Sequence, residues 1–89
     1  MITFDEAKRK ANIAKHGIDL AECEAVFDFP MLTIEDDRAV YGERRFASLG
    51  LLTGRVVMLV WTDREAGSHV ISCRFGDKNE TLKYFKEAF

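Results

Sequence analysis

Three features of the sequence predict an α+β fold in which an antiparallel four-stranded sheet carries an N-terminal αα-hairpin and a C-terminal helix. Arg55-Val56-Val57-Met58-Leu59-Val60-Trp61-Thr62 is the only run that is apolar on both alternating sets of side chains, the pattern of a central strand. Strand-like runs flank it on both sides across short turn signals, so the three make an antiparallel meander. Helical spacing with capping residues lies outside that meander, toward both ends of the chain.

At the start, Ile2-Thr3-Phe4 is a short apolar stretch, and the sequence leaves open whether it adds a strand to the sheet. Asp5 is placed to cap a helix over Glu6 to His16, with Ala7, Ala11 and Ala14 at helical spacing. Gly17 sits where a left-handed residue ends such a helix, and Lys15 and His16 fall in the last turn, where positive charge suits the dipole. Lys8, Asn12, Lys15 and His16 share one face, read as polar and basic, while the alanine face is expected to lie against the sheet.

Asp19 and Glu22 form a capping-box pattern opening a second helix through Leu20, Cys23, Val26 and Phe27, stopped by Phe29-Pro30. With only Gly17-Ile18 between them, the two helices make a tight hairpin. Met31 to Ile34 reads as an edge strand and Glu35-Asp36-Asp37-Arg38 as an exposed turn. The meander follows: Arg45 to Leu52, a turn at Thr53-Gly54, the central run, a loop from Asp63 to Ser68, and His69 to Phe75. Asp77 and Glu80 repeat the capping pattern for the last helix, whose stripe of Leu82, Phe85, Ala88 and Phe89 is expected to cover the sheet.

The chain of 89 residues is expected to be a single domain over 1–89, and its 47% hydrophobic content is enough for one core. The first ten residues carry charges and no apolar h-region, and Val56 to Trp61 is too short to span a bilayer, so a cytoplasmic protein is expected. Cys23 and Cys73, without partners at metal-ligand spacing, read as small buried hydrophobes in a reducing compartment.

The net charge of −2 conceals an uneven pattern. Lys8, Arg9, Lys10 and Lys15 dominate the first helix; every charge from Asp19 to Asp37 is negative; and Arg38, Arg44, Arg45 and Arg55 face only Glu43 in the next stretch. Two basic segments brought together would hold a polyanion; kept apart, they are a solvated mixed-charge surface.

No glycine-rich nucleotide loop, Cys/His metal cluster or nucleophile elbow is present. What remains is a set of polar residues. His16 has two readings, a general acid or base near neutrality or a cation on the helix dipole. Arg45 and Arg74, beside Phe46 and Phe75, fit a phosphate clamp or structural pairs with Glu43 and Glu80. Trp61 and Tyr84 fit base stacking or the core, and His69 reads as a strand-edge surface residue.

Taken together, Asp5 to Ile18 with its Asn12-x-x-Lys15-His16-Gly17 core, Ala25-Val26-Phe27-Asp28, Tyr41-Gly42-Glu43-Arg44-Arg45-Phe46, Gly50, and Ile71-Ser72-Cys73-Arg74 with Glu80 and Tyr84 resemble the BrnT family of type II toxins, nearly end to end. The resemblance implies a RelE-like fold and a metal-independent, cofactor-free endoribonuclease that inhibits translation. It also implies a BrnA-like antitoxin in a hetero-oligomer that meets operator DNA only through the antitoxin, and no membrane.

By the same resemblance, Arg45 and Arg74 stabilise the phosphate and His16 and Lys15 serve acid/base or phosphate contact. Lys8, Asn12, Tyr84 and Lys78 contact substrate, and Glu43 and Glu80 orient their neighbours. One departure stands out: where family members carry a basic residue, an Ala-Thr pair and a strongly basic helix start after the Arg74 position, this chain has Phe75-Gly76-Asp77-Lys78-Asn79. That loss of positive charge is what motivates the other reading, a non-catalytic module that holds a partner and co-regulates an operator.

Overall fold

The computed structural model describes residues 1–37 and 42–89; the expected basic contribution of Arg38 and the Tyr41 part of the family pattern lie outside them. Strands β1 (Ile2–Phe4), β2 (Leu32–Asp36), β3 (Arg45–Leu52), β4 (Arg55–Arg64) and β5 (Gly67–Phe75) form one sheet in the order β1-β5-β4-β3-β2. Helix α1 (Glu6–His16), a 3₁₀ helix (Leu20–Asp28) and α2 (Lys78–Glu87) pack on it. The class is α+β, as expected, but the sheet is five-stranded and mixed: Ile2–Phe4 does join it, parallel to β5, with Ile2 opposite Ser68 and Phe4 opposite Val70. A short parallel strand here shields one end of the β5 edge that the meander alone would leave open.

The expected αα-hairpin is corrected in its second half, which is 3₁₀ rather than α. Leu20, Cys23 and Val26 recur every third residue and are all fully buried. A stripe of period three is straight on a 3₁₀ helix and drifts around an α-helix, so burial of this stripe selects the tighter helix. It lies against Leu52, Val57, Leu59, Val70 and Cys73 on one face of the sheet, with Ile18 closing the end. Cys23 and Cys73 are both free thiols in this core. Trp61 also packs there, edge-on to Phe27 at 5.3 Å and against Phe46 at 4.9 Å, with its Nε1 donating to Ser48 Oγ at 2.9 Å.

Gly50 is the notch that lets the 3₁₀ helix approach, since a Cβ there would stand 2.6 Å from Val26 Cγ1. Val26 is fully buried and cannot swing away. Gly50→Ala is therefore expected to cost about 1–3 kcal/mol, read as a lower urea midpoint with an unchanged slope.

The opposite face is covered only in part. Leu49, Val56 and Tyr84 form a second core there, with Leu32, Leu51, Met58 and Ala88 around it. The expected cover by Leu82, Phe85 and Phe89 is not what occurs: these are 60%, 52% and 73% exposed, and Tyr84 is the residue driven inward. Its hydroxyl donates to the Pro30 carbonyl at 2.7 Å, so the ring can be buried without stranding a polar atom. The helix is phased on Tyr84 and Ala88, which leaves Phe85 and Phe89 stacked on its outer side. The capping box of Asp77 and Glu80 forms as expected.

Helix α1 has the expected bounds, with Asp5 as N-cap and Gly17 at φ 73° as C-cap. Its orientation is the reverse of the expectation, because the alanines are exposed and Asn12 is the buried position. Asn12 Nδ2 donates to the Cys73 carbonyl at 2.9 Å and to the Ile18 carbonyl at 2.8 Å, while Oδ1 accepts from Cys73 N at 3.1 Å. The side-chain amide thus continues the edge pairing of β5 beyond the last residue of β1, and a polar face lies inward because the strand edge it meets is polar. Two smaller corrections concern loops. β2 runs through Asp36 rather than turning at Glu35, and β4 and β5 extend to Arg64 and from Gly67, leaving only a tight turn between them.

Candidate functional site

The uncovered part of the second sheet face is a trough floored by β3, β4 and β5 and walled on one side by α1. It consists of three adjoining recesses. The first, about 380 Å³, is lined by Phe4, Asp5, Lys8, Arg45, Arg64, His69 and Ile71. The middle one, about 290 Å³, shares Lys8 and Ile71 with the first and adds Lys15, His16 and Ser72. The last, about 380 Å³, shares His16 and Ser72 with the middle one and extends to Arg74, Asp36 and Ile34. Neighbouring recesses share wall residues, so the three adjoin in a row that we call the groove.

A bulge decides what faces it. Val60 pairs with Ser72 but Trp61 pairs with Val70, so Ile71 is an extra residue in β5. Cys73 and Val70 are both in the buried core although they stand three positions apart, an offset that would put them on opposite faces of a regular strand. The bulge reverses the alternation and delivers His69 to the same face as Ser72 and Arg74. His69 is thus not merely a strand-edge residue: its Nδ1 is hydrogen-bonded to Thr3 Oγ1 at 2.8 Å, and it lines the first recess. Burial, and then the charge of Arg64, lower its pKa from the ordinary value.

The four residues expected to be catalytic do not converge on one point. Arg45 lies in the first recess, Lys15 in the middle one and Arg74 in the last, while His16 lines the middle and the last. Lys8 lines the first and middle recesses, as a substrate-binding residue would. Asn12, expected to touch substrate, lines the middle recess with Lys15 and His16, while its amide is committed to backbone partners. Tyr84, expected to stack a base, has no exposed ring face. Lys78 is exposed at the start of α2 and lines none of these recesses. Arg64, His69 and Thr3 had no signal in the sequence, because the bulge and the parallel β1 bring them together.

The acidic partners occupy both ends. Glu43 lies 3.2 Å from Arg64 and 3.8 Å from Arg45, and the Arg64 hydrogen bond holds its carboxyl below the usual value. Glu80 receives two hydrogen bonds from Arg74, at 2.8 and 3.0 Å, and one from Asp77 N at 2.9 Å. Chiefly through Arg74, its pKa is lowered as well, against a smaller opposing effect of burial. The stability this pair adds is full above the ordinary carboxyl pKa and is lost as pH falls through the lowered folded value. Glu80→Gln is expected to flatten the dependence of the urea midpoint on pH in that acid window and to leave its shape near neutrality unchanged. Among the described residues, no three of His, Cys, Asp and Glu come together as a metal site.

The sequence matches the family described as "Ribonuclease toxin, BrnT, of type II toxin-antitoxin system" over residues 4–80. The chain belongs to the BrnT toxin family. The fold agrees: a crystal structure of the Brucella abortus ribonuclease toxin BrnT superposes with a TM-score of 0.68 at 27% identity, covering 86% of this chain and 96% of that one. No curated protein matches the sequence. The match includes α1 and β5, the two elements that wall and floor the groove, and ends at Glu80, the partner of Arg74. Membership in a type II toxin-antitoxin family implies an antitoxin partner for this BrnT homologue. No helix among the described residues is long and apolar enough to cross a membrane.

Proposed function

We propose that this BrnT-family chain is a RelE-like, metal-independent endoribonuclease. Acting as a single cytoplasmic domain, it would inhibit translation by cutting RNA and be neutralised by a BrnA-like antitoxin that carries any contact with operator DNA. The observation that carries the reading is the row of adjoining recesses, whose linings present Arg45, Arg64, Lys8, Lys15, His16 and Arg74 in succession. A row of cations in a trough suits a single-stranded polyanion, with affinity drawn mainly from phosphate contacts.

Metal-free RNA cleavage requires the 2′-hydroxyl to lose a proton, the in-line phosphorane to be met by positive charge, and the leaving 5′-oxygen to gain a proton. Guanidinium groups meet the second demand with fixed, paired donors. Glu43 and Glu80 hold Arg45 and Arg74 in place, so both readings of those arginines, as structural partners and as phosphate ligands, apply at once.

The test is incubation of the purified chain with total RNA in the presence of EDTA. Fragments with 2′,3′-cyclic phosphate and 5′-hydroxyl ends are expected, and intact RNA beside folded protein would contradict the reading.

The non-catalytic reading draws on the last recess, where Glu35, Asp36 and Asp37 stand with Arg74 and make its charged lining net negative. It predicts a stable complex with a basic partner chain and no cleavage by the free protein, an outcome the same assay separates.

A further inference from the structure

The cations of the groove are spread along its length, and the first recess is the stretch that combines two guanidiniums and an ammonium with a hydrogen-bonded imidazole. We propose that the scissile phosphate is held in the first recess, between Lys8, Arg45 and Arg64, with His69 as the general base and the Arg74 end serving to grip the flanking RNA. This rests on the ribonuclease reading above and deepens it by naming the reacting end and the base.

The first ground is orientation. Nδ1 of His69 is occupied by Thr3 Oγ1 at 2.8 Å, which fixes the ring and leaves Nε2 as the nitrogen available to the recess. With the proton on Nδ1 donated to the Thr3 hydroxyl, Nε2 carries the lone pair a base needs. His16 has no comparable anchor among the hydrogen bonds described; it ends α1 on the helix dipole.

The second ground is company. Arg64 reaches the recess from β4, Arg45 from β3 and Lys8 from α1, three elements around one cavity of about 380 Å³. Asp5 from the α1 N-cap and Glu43 from the segment before β3 are the anionic groups in reach of the imidazole. Two guanidiniums on one phosphate are what the charged phosphorane requires, and an arginine does not give up its proton. Lys8 is then the proton donor on this wall.

The third ground is protonation. Burial and the neighbouring Arg64 lower the pKa of His69 and favour the neutral imidazole at neutral pH. The bulge at Ile71, which places His69 on this face at all, is the kind of irregularity that re-aims a side chain at a site.

Nε2 takes the proton of the 2′-hydroxyl, the 2′-oxygen forms a bond to phosphorus, and the bond from phosphorus to the 5′-oxygen breaks. The leaving oxygen takes a proton from the Lys8 ammonium. The products are a 2′,3′-cyclic phosphate and a 5′-hydroxyl, and water returns the proton from His69 to Lys8.

The experiment is single-turnover cleavage of a short fluorescent RNA by the purified chain from about pH 5 to 9, with His69→Asn and Arg74→Ala beside the wild type. Asparagine can keep a hydrogen bond to Thr3 but does not titrate. The wild-type rate is expected to fall on the acid side with a slope of one and an apparent pKa below that of an ordinary histidine. His69→Asn should lose about 10²-fold or more in the chemical rate and the acid limb with it, and Arg74→Ala should weaken RNA binding while keeping the limb.

Cleavage by His69→Asn at the wild-type rate, or a wild-type profile with no acid limb, overturns the assignment of His69 and leaves the ribonuclease reading standing. The second outcome does not depend on any variant folding. Absence of cleavage by folded wild type overturns both.

Discussion

Asn12→Ala is expected to be the most damaging single substitution outside the apolar cores. It removes three hydrogen bonds and leaves the Cys73 N–H and C=O without their partner at the β5 edge. Both groups are in a fully buried residue, so water cannot replace the lost amide without opening the structure. Each stranded backbone group costs about 1–3 kcal/mol, so a loss of about 3 kcal/mol and a fall in Tm of more than ~10 °C are expected for a domain of this size. Thermal melting monitored by circular dichroism checks this. A Tm within ~2 °C of the wild type would mean that the amide is not the edge partner. Asn12→Asp is expected to be little better, because a carboxylate would face the Cys73 and Ile18 carbonyls in place of a donor.

Arg74→Ala is expected to weaken RNA binding by about 10- to 100-fold, the worth of a charge-assisted contact to one phosphate. The salt dependence of binding should flatten by about one phosphate contact, a slope change of ~0.7 for a single strand. The fold should survive, because Glu80 keeps its capping bond to Asp77 N and the arginine side chain is 44% exposed. Arg74→Lys should restore the charge but only part of the affinity, since a point charge cannot reproduce the two-pronged guanidinium. Fluorescence anisotropy with a non-cleavable 2′-deoxy oligonucleotide measures both quantities. Unchanged binding would show that the last recess does not hold nucleic acid.

The sequence was legible wherever local chemistry alone decides the outcome. Asp5 and Gly17 set the ends of α1, Asp77 and Glu80 the start of α2, and Thr53-Gly54 the β3–β4 turn, each through a backbone demand that few residues meet. The sequence is not legible where a long-range partner decides. The α1 alanines looked like the packing face because their spacing is apolar, yet the edge of β5 offered bare peptide groups and drew Asn12 inward.

In α2, Tyr84 went inward ahead of Phe85 because Pro30, far off in sequence, supplies an acceptor for its hydroxyl. The every-third spacing of Leu20, Cys23 and Val26 fits a 3₁₀ helix, whereas the capping pattern at Asp19 and Glu22 is one that 3₁₀ and α-helices share.

The groove was half visible. Lys8, Lys15 and His16 share a helix face that can be read from the sequence, and they do line the groove. Arg64 and His69 were missed because nothing in the local sequence announces the bulge at Ile71, and without it His69 has the parity of a buried residue. Arg45 and Arg74 are legible beside Phe46 and Phe75 as candidates for a phosphate clamp, and the geometry places them in different recesses.

The most direct test of the central claim is induced expression of the chain alone in bacterial cells, with colony counts and the 5′-hydroxyl ends of total RNA mapped at matched levels of folded protein. Growth arrest accompanied by new 5′-hydroxyl ends, both reduced in Arg74→Ala and both suppressed by a co-expressed antitoxin, is the predicted result. Well-expressed, folded chain that neither arrests growth nor generates such ends would contradict it.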